Sequence, residues 1–278
     1  MISADGRIEN RGQISSAAGI AVQGDKGVDN SGTLFAKGDL ELRTDGDIDN
    51  RGIVSAQGNA RLAAKGAGSA IRSHAGSALA AGVDSTGKLG SSGSLTLSAS
   101  GTLSAQGQNL AAQVLSAKAS AVDLSDSQTS AQDINLTSTS GNLDLRRSRV
   151  SASQAVTATA SQGLLSDAAR VGAARIGITA LDLSNVGGEW VQTGSSGMSV
   201  KVGGHLDNRG GTLSSVAGDL LLTSDGGVLD NHGGRLEAAK PGKQCWRGHR
   251  RPTACRYPQP TAGQPPGHAQ RPRHAGAR

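Results

Sequence analysis

Three aspartates set beside leucines could do chemistry in this sequence: Leu143-Asp-Leu145, Leu181-Asp-Leu183 and Leu206-Asp-Asn208. If the leucines face a core, Asp144, Asp182 and Asp207 face outward. Carboxylates aligned on an outer face are the equipment of general acid–base cleavage of a glycosidic bond. The same placement serves more simply to keep that face soluble. A denser acidic run, Asp45-Gly-Asp-Ile-Asp-Asn50, spaces carboxylates so that alternate ones can converge on a hard cation. It lacks the glycine and distal glutamate of a helix-flanked calcium loop and reads as a solvated turn.

His74, His205 and His232 are far apart, and none has a neighbouring ligand pair or nucleophile, so they read as surface or turn residues. Arg146-Arg147-Ser-Arg149 is the basic cluster of the body; with no aromatic nearby to stack a base it reads as a solvated corner, not a specific nucleic-acid site. Near the end, Cys245, His249 and Cys255 have a spacing that matches no common zinc module, and a lone disulfide is the other option for the two cysteines. Nucleophile elbows, phosphate-binding loops and His-Glu-x-x-His motifs are missing. The expectation is a chain without enzyme activity, with no catalytic residue, cofactor or metal assigned.

The elements that carry these residues repeat. Offsetting the first 65 residues by twenty superposes Ile8, Val28 and Ile48, then Ile14, Leu34 and Val54, then Val22, Leu42 and Leu62. Asn10, Asn30 and Asn50 fall in the same register, each followed two residues later by glycine. Within a unit, apolar and polar residues alternate, as in Leu40-Glu-Leu42, Leu95-Thr-Leu97 and Val200-Lys-Val202, the period of strands with one buried face. Asn-Ser-Gly and Asp-Gly-Asp clusters supply the turns between them. No helical pattern joins successive strands, which argues against a βαβ fold.

A twenty-residue unit buries too few aliphatic side chains to offset the entropy of ordering it, so units must stack. Stacked as coils, they form a parallel β-helix in which Ile8, Val28 and Ile48 make one aliphatic column. The asparagines either stack as an amide ladder or merely make turns. The pattern returns as Leu206-Asp-Asn-Arg-Gly-Gly-Thr-Leu213 and Leu229-Asp-Asn-His-Gly-Gly-Arg-Leu236, now offset by 23, so that Leu206, Asn208 and Leu213 match Leu229, Asn231 and Leu236. The expected architecture is all-β, a solenoid of about 20–23-residue coils over residues 1–240, roughly twelve coils and roughly 55–60 Å long.

Composition sets bounds on this. Only Phe35, Trp190, Trp246 and Tyr257 are aromatic, so any core is thin and aliphatic, and without the periodicity the chain would read as disordered. The net charge of +6 is unevenly held: residues 241–278 carry eight Lys and Arg and no acid, leaving residues 1–240 near neutral. All seven prolines lie in that segment, which is expected to be a basic, disordered tail, by origin either an anion-binding arm or the product of a shifted reading frame. The start shows no apolar signal region and no stretch matches a membrane span.

The Leu-Asp-Asn-x-Gly-Gly-x-Leu units, with Leu79-Ala-Ala-Gly-Val-Asp-Ser-Thr-Gly-Lys-Leu89 and Gly93-Ser-Leu-Thr-Leu97, resemble the haemagglutinin repeats of filamentous-haemagglutinin-like exoproteins over about residues 1–240. The resemblance implies a right-handed coil and export across the outer membrane of a Gram-negative bacterium by a two-partner transporter. It implies a place on the cell surface or outside it, and contact with carbohydrate or protein on a host or neighbouring cell. It further implies a non-catalytic adhesin segment, or the stalk of a contact-dependent growth-inhibition toxin. A polysaccharide-acting enzyme is the third reading. The amino-terminal secretion domain of the family, with its Asn-Pro-Asn motifs, has no counterpart here, so the chain resembles an internal fragment.

Overall fold

The computed structural model describes residues 1–239; the proline-rich segment, with Cys245, His249 and Cys255, lies outside them. Each coil is three short parallel strands. In the first coil these are Ile2–Ala4, Arg7–Asn10 and Gln13–Ser16, and in the second Ile20–Gly24, Gly27–Asn30 and Thr33–Ala36. Every strand pairs in parallel with its copies above and below, which gives three columns. The second column is an 11-stranded sheet, one strand per coil. The first and third columns are joined into a 20-stranded sheet because Gln128–Ser138 and Arg149–Ala160 run unbroken through the corner and serve both.

The described residues therefore form an all-β parallel solenoid of eleven coils, not twelve, roughly 50 Å long at one strand spacing per coil. The shortfall comes from longer coils. The second-column register steps from Ile48 to Ile71 and then from Ile71 to Leu103. The later step holds an insertion in which Val83 and Leu89 form an antiparallel bridge. Leu183, Leu206 and Leu229 keep a register of 23-residue coils.

The alternation accounts for the core. In Leu40–Thr44, Leu40 and Leu42 are buried while Glu41 lies outside between them. Ile8, Val28 and Ile48 are in register, as are Ile14, Leu34 and Val54. Leu42 and Leu62 stack in the first column, Leu213 and Leu236 in the third. Among the described residues the core holds one large ring, Trp190, fully buried in register with Leu213, its indole N–H donating to Ser166 Oγ at 3.1 Å.

Two kinds of glycine let the corners close. A Cβ on Gly32 would lie 1.9 Å from the Gly12 carbonyl oxygen, and one on Gly52 equally close to that of Gly32, so the coils approach too tightly there for any side chain. In the Gly-Gly pairs the first glycine instead supplies a left-handed backbone, with Gly187, Gly210 and Gly233 at positive φ of 62°, 62° and 68°. Three earlier coils make that turn with Asp126, Arg147 and Ala168. No helix long and apolar enough to cross a membrane occurs among the described residues.

Candidate functional site

The outer face of the second column is rich in carboxylates. One row runs in register through Glu9, Asp29, Asp49 and Arg72; further along, the same row holds Asp123 and Asp144, then Leu165 and Ser184, then Asp207 and Asp230. Like charges stacked one strand apart repel, and arginines answer them. Arg7 grips Asp29 with contacts of 2.8 and 2.6 Å, Arg51 lies 2.6 Å from Asp49, and Arg72 lies 2.7 Å from Asp47. Arg146 forks Asp144, and Arg209 forks Asp207 while reaching toward Asp230 at 3.8 Å.

These partners set the titration of the carboxyls. The Arg72 hydrogen bond, aided by the Ala70 N–H, holds Asp47 below the usual carboxylate range despite its partial burial. Arg209 does the same for Asp207 through its side chain and its backbone N–H. A pair of carboxylates working as acid and base would instead need one of the two raised, so that their values stand apart.

The three aspartates that sequence singled out are not brought together. Asp144 and Asp207 share a row but are separated by Leu165 and Ser184, and Asp182 stands in the neighbouring row, where it accepts from the His205 N–H at 2.7 Å. Of the histidines, His74 reaches Asp49 at 3.2 Å, His205 Nδ1 accepts from the Val228 N–H at 3.4 Å, and the His232 N–H donates to Asp230. Asp47 and Asp49 in the acidic run are each engaged by an arginine, and no group of three His, Cys, Asp or Glu suited to a metal ion occurs among the described residues. In the basic cluster Arg146 and Arg147 pair with Asp144 and Asp126, while Arg149 projects from the third column.

At the corner after the second column the asparagines stack. Asn10 Nδ2 donates to Asn30 Oδ1 at 2.7 Å, Asn30 to Asn50 at 2.8 Å, and Asn50 to Ser73 Oγ at 2.9 Å. The same amides also make the turn, with Gly12 N–H donating to Asn10 Oδ1 and Asn30 Nδ2 to the Gly32 carbonyl. A second ladder starts from Ser166, whose hydroxyl meets Asn185 Oδ1 at 3.1 Å, and runs through Asn185, Asn208 and Asn231 at 2.7 and 2.6 Å. Between the ladders the same stacking position is apolar, with Ala105, Leu124 and Leu145 buried, while Asn109 of the next strand donates to the Ala105 carbonyl at 2.9 Å. Sequence reasoning missed the Asn185 copy, Leu183-Ser-Asn-Val-Gly-Gly-Glu-Trp190, because tryptophan replaces the closing leucine.

The third column carries a groove that sequence reasoning also missed. Its outward residues form two rows: Thr33, Ile53, Ala78 and Gln108 in one, Phe35, Ser55, Ala80 and Leu110 in the other. The inserted hairpin overhangs them, and together they enclose a cavity of about 390 Å³. Asp84 Oδ1 ties the hairpin by accepting from Thr86 Oγ1 at 2.6 Å and from the N–H groups of Thr86 and Lys88. A second cavity of about 310 Å³ continues along the same face past Gln128, Ser130, Arg149 and Ser151. The available signal was Phe35 itself: beside core Leu34 in an alternating strand, it had to point out.

A 155-residue stretch, 56% of the chain, is 38% identical to toxin CdiA of Yersinia pestis, of which it covers 5%. The chain thus spans a small part of that relative's length and is a homologue of that part, in keeping with the haemagglutinin-repeat resemblance. No family model and no solved structure matches the chain.

Proposed function

We propose that residues 1–240 are a non-catalytic, adhesive β-helical segment of a secreted or surface-exposed exoprotein, and that the basic segment 241–278 is a separate, unrelated end. The observation that carries this is the stack itself: eleven coils in parallel register, with outward carboxylates tied to arginines as structural bracing. The likeness to a toxin supports a second reading, a stalk that holds a toxic domain of a contact-dependent growth-inhibition system away from the cell. In either case the parent would pass an outer-membrane two-partner transporter and meet carbohydrate or protein on another cell.

Fusing the coils behind a two-partner secretion domain and displaying them on a bacterium tests both readings. Adhesion to target cells that disappears when the coils are deleted supports the first. Display without adhesion defeats it and leaves the stalk. Translating the gene past codon 240 in the other two frames tests the origin of the tail, since repeats resumed in neither would defeat a shifted frame.

A further inference from the structure

We propose that the third-column groove is a binding site for an acidic oligosaccharide, a chain of pyranose rings bearing carboxylates. The proposal deepens the contact role above by naming a ligand class and rests on that reading only for the face being presented to another surface.

The groove has two unlike halves. Under the hairpin the floor is apolar, with Phe35, Ile53 and Leu110 facing out; Phe35 is half-buried and Ile53 is 45% exposed. An outward ring and aliphatic floor in a concave, part-roofed site suit the apolar face of a sugar ring or an N-acetyl methyl group. Farther along, Gln108, Gln128, Ser130 and Ser151 offer exposed amides and hydroxyls whose side chains make no hydrogen bond to other described residues. The strand spacing is about 4.8 Å, so a polymer whose own repeat is near that length meets an amide at Gln108 and again at Gln128, and a hydroxyl at Ser130 and again at Ser151, one step apart.

The charge at the far end fixes the ligand's sign. Arg149 and Arg170 stand directly in register, one strand apart, and Glu189 follows Arg170 on the next strand of the same row, so Arg149, the one that lines the groove, is the cation farther from a carboxylate. Among the described residues neither makes an ion pair, although Arg146 and Arg147, just before, are both paired. Like charges directly opposite one another are unfavourable, and a carboxylate bridging two guanidinium groups would relieve them with charge-assisted hydrogen bonds. An extended peptide would look for unpaired backbone at a sheet edge, whereas here the floor is the face of a fully paired sheet. A nucleic acid would need several rings and a longer basic track.

The test is calorimetric titration of the full chain with a hexasaccharide of alternating glucuronate and N-acetylglucosamine. Binding should weaken about tenfold in Arg149→Gln and in Phe35→Ala, and about tenfold for the carboxyl-reduced hexasaccharide with the unaltered chain. Both side chains point outward, so the far-UV spectrum should not change. Gln108→Ala serves as a second groove variant should Phe35→Ala alter it. Absence of binding, equal binding of a hexaglutamate peptide, or undiminished binding by the Phe35→Ala/Arg149→Gln double variant overturns the proposal. Because the titration needs no export, its failure is separate from failure of the display experiment.

Discussion

Replacing Asn30 by alanine should weaken the amino-terminal coils far more than loss of one polar side chain would suggest. Asn30 is 2% exposed and sits between two other amides, accepting from Asn10 at 2.7 Å and donating to Asn50 at 2.8 Å. Truncation removes both ladder bonds, about 1 kcal/mol each, together with the longer contacts of the amide to the Gly32 and Ile53 carbonyls, and strands Asn50 Oδ1 in the core without a donor, a further cost of about 1–3 kcal/mol. Asn10 keeps a second acceptor, the Thr33 carbonyl at 3.2 Å, so its amide is not stranded. The expected loss is about 3–5 kcal/mol, read by urea unfolding and by amide exchange in the first three coils. Replacing Asn10, Asn30 and Asn50 together with leucine should cost much less than three single changes added, because the same corner is already apolar at Leu124 and Leu145. A loss under about 0.5 kcal/mol for Asn30→Ala, or simple additivity in the triple variant, would refute the ladder as a cooperative unit.

The corner glycines give opposite expectations. Gly32→Ala puts a methyl against the Gly12 carbonyl and should cost at least about 2 kcal/mol in urea unfolding. Ala168→Gly, at a φ of 55°, should instead stabilise by about 1 kcal/mol, since alanine there holds a left-handed conformation that glycine adopts freely. Acid should weaken the rod by a calculable route. Asp47 and Asp207 titrate lower when folded than when unfolded, so their contribution is complete above the ordinary carboxylate range and disappears as pH falls through the depressed folded values. Thermal unfolding followed from about pH 5 down to about pH 2 should show this decline, and Arg209→Gln should reduce it. An acid slope identical in the variant would show that these pairs contribute nothing.

How much of this was legible follows from what a period records. The step of twenty fixed which residues stack, because a strand slipped by one residue would turn its whole apolar set outward; Ile8, Val28 and Ile48 could scarcely be paired otherwise. The middle coils were harder. Their cores rely on alanine, as at Ala117, Ala158 and Ala173, which carries little apolar signal yet is buried. The Ile71 to Leu103 step breaks the period outright, because loop residues add length to a coil without changing the strands on either side.

The outer faces obey a different rule. A core position needs only an aliphatic side chain of suitable size, so the period reports it, whereas an outward position needs nothing from the fold and its meaning depends on its neighbours in adjacent coils. Asp144 and Asp207 look equivalent along the chain, but Leu165 and Ser184 intervene between them in the stack. Arg149 and Arg170 look unrelated along the chain and stand side by side. In a solenoid the chemistry of a surface is written across coils, one residue from each. A row of paired charges such as Asp207 with Arg209 is therefore bracing, while an unpaired charge such as Arg149 beside a groove is where a ligand has something to gain.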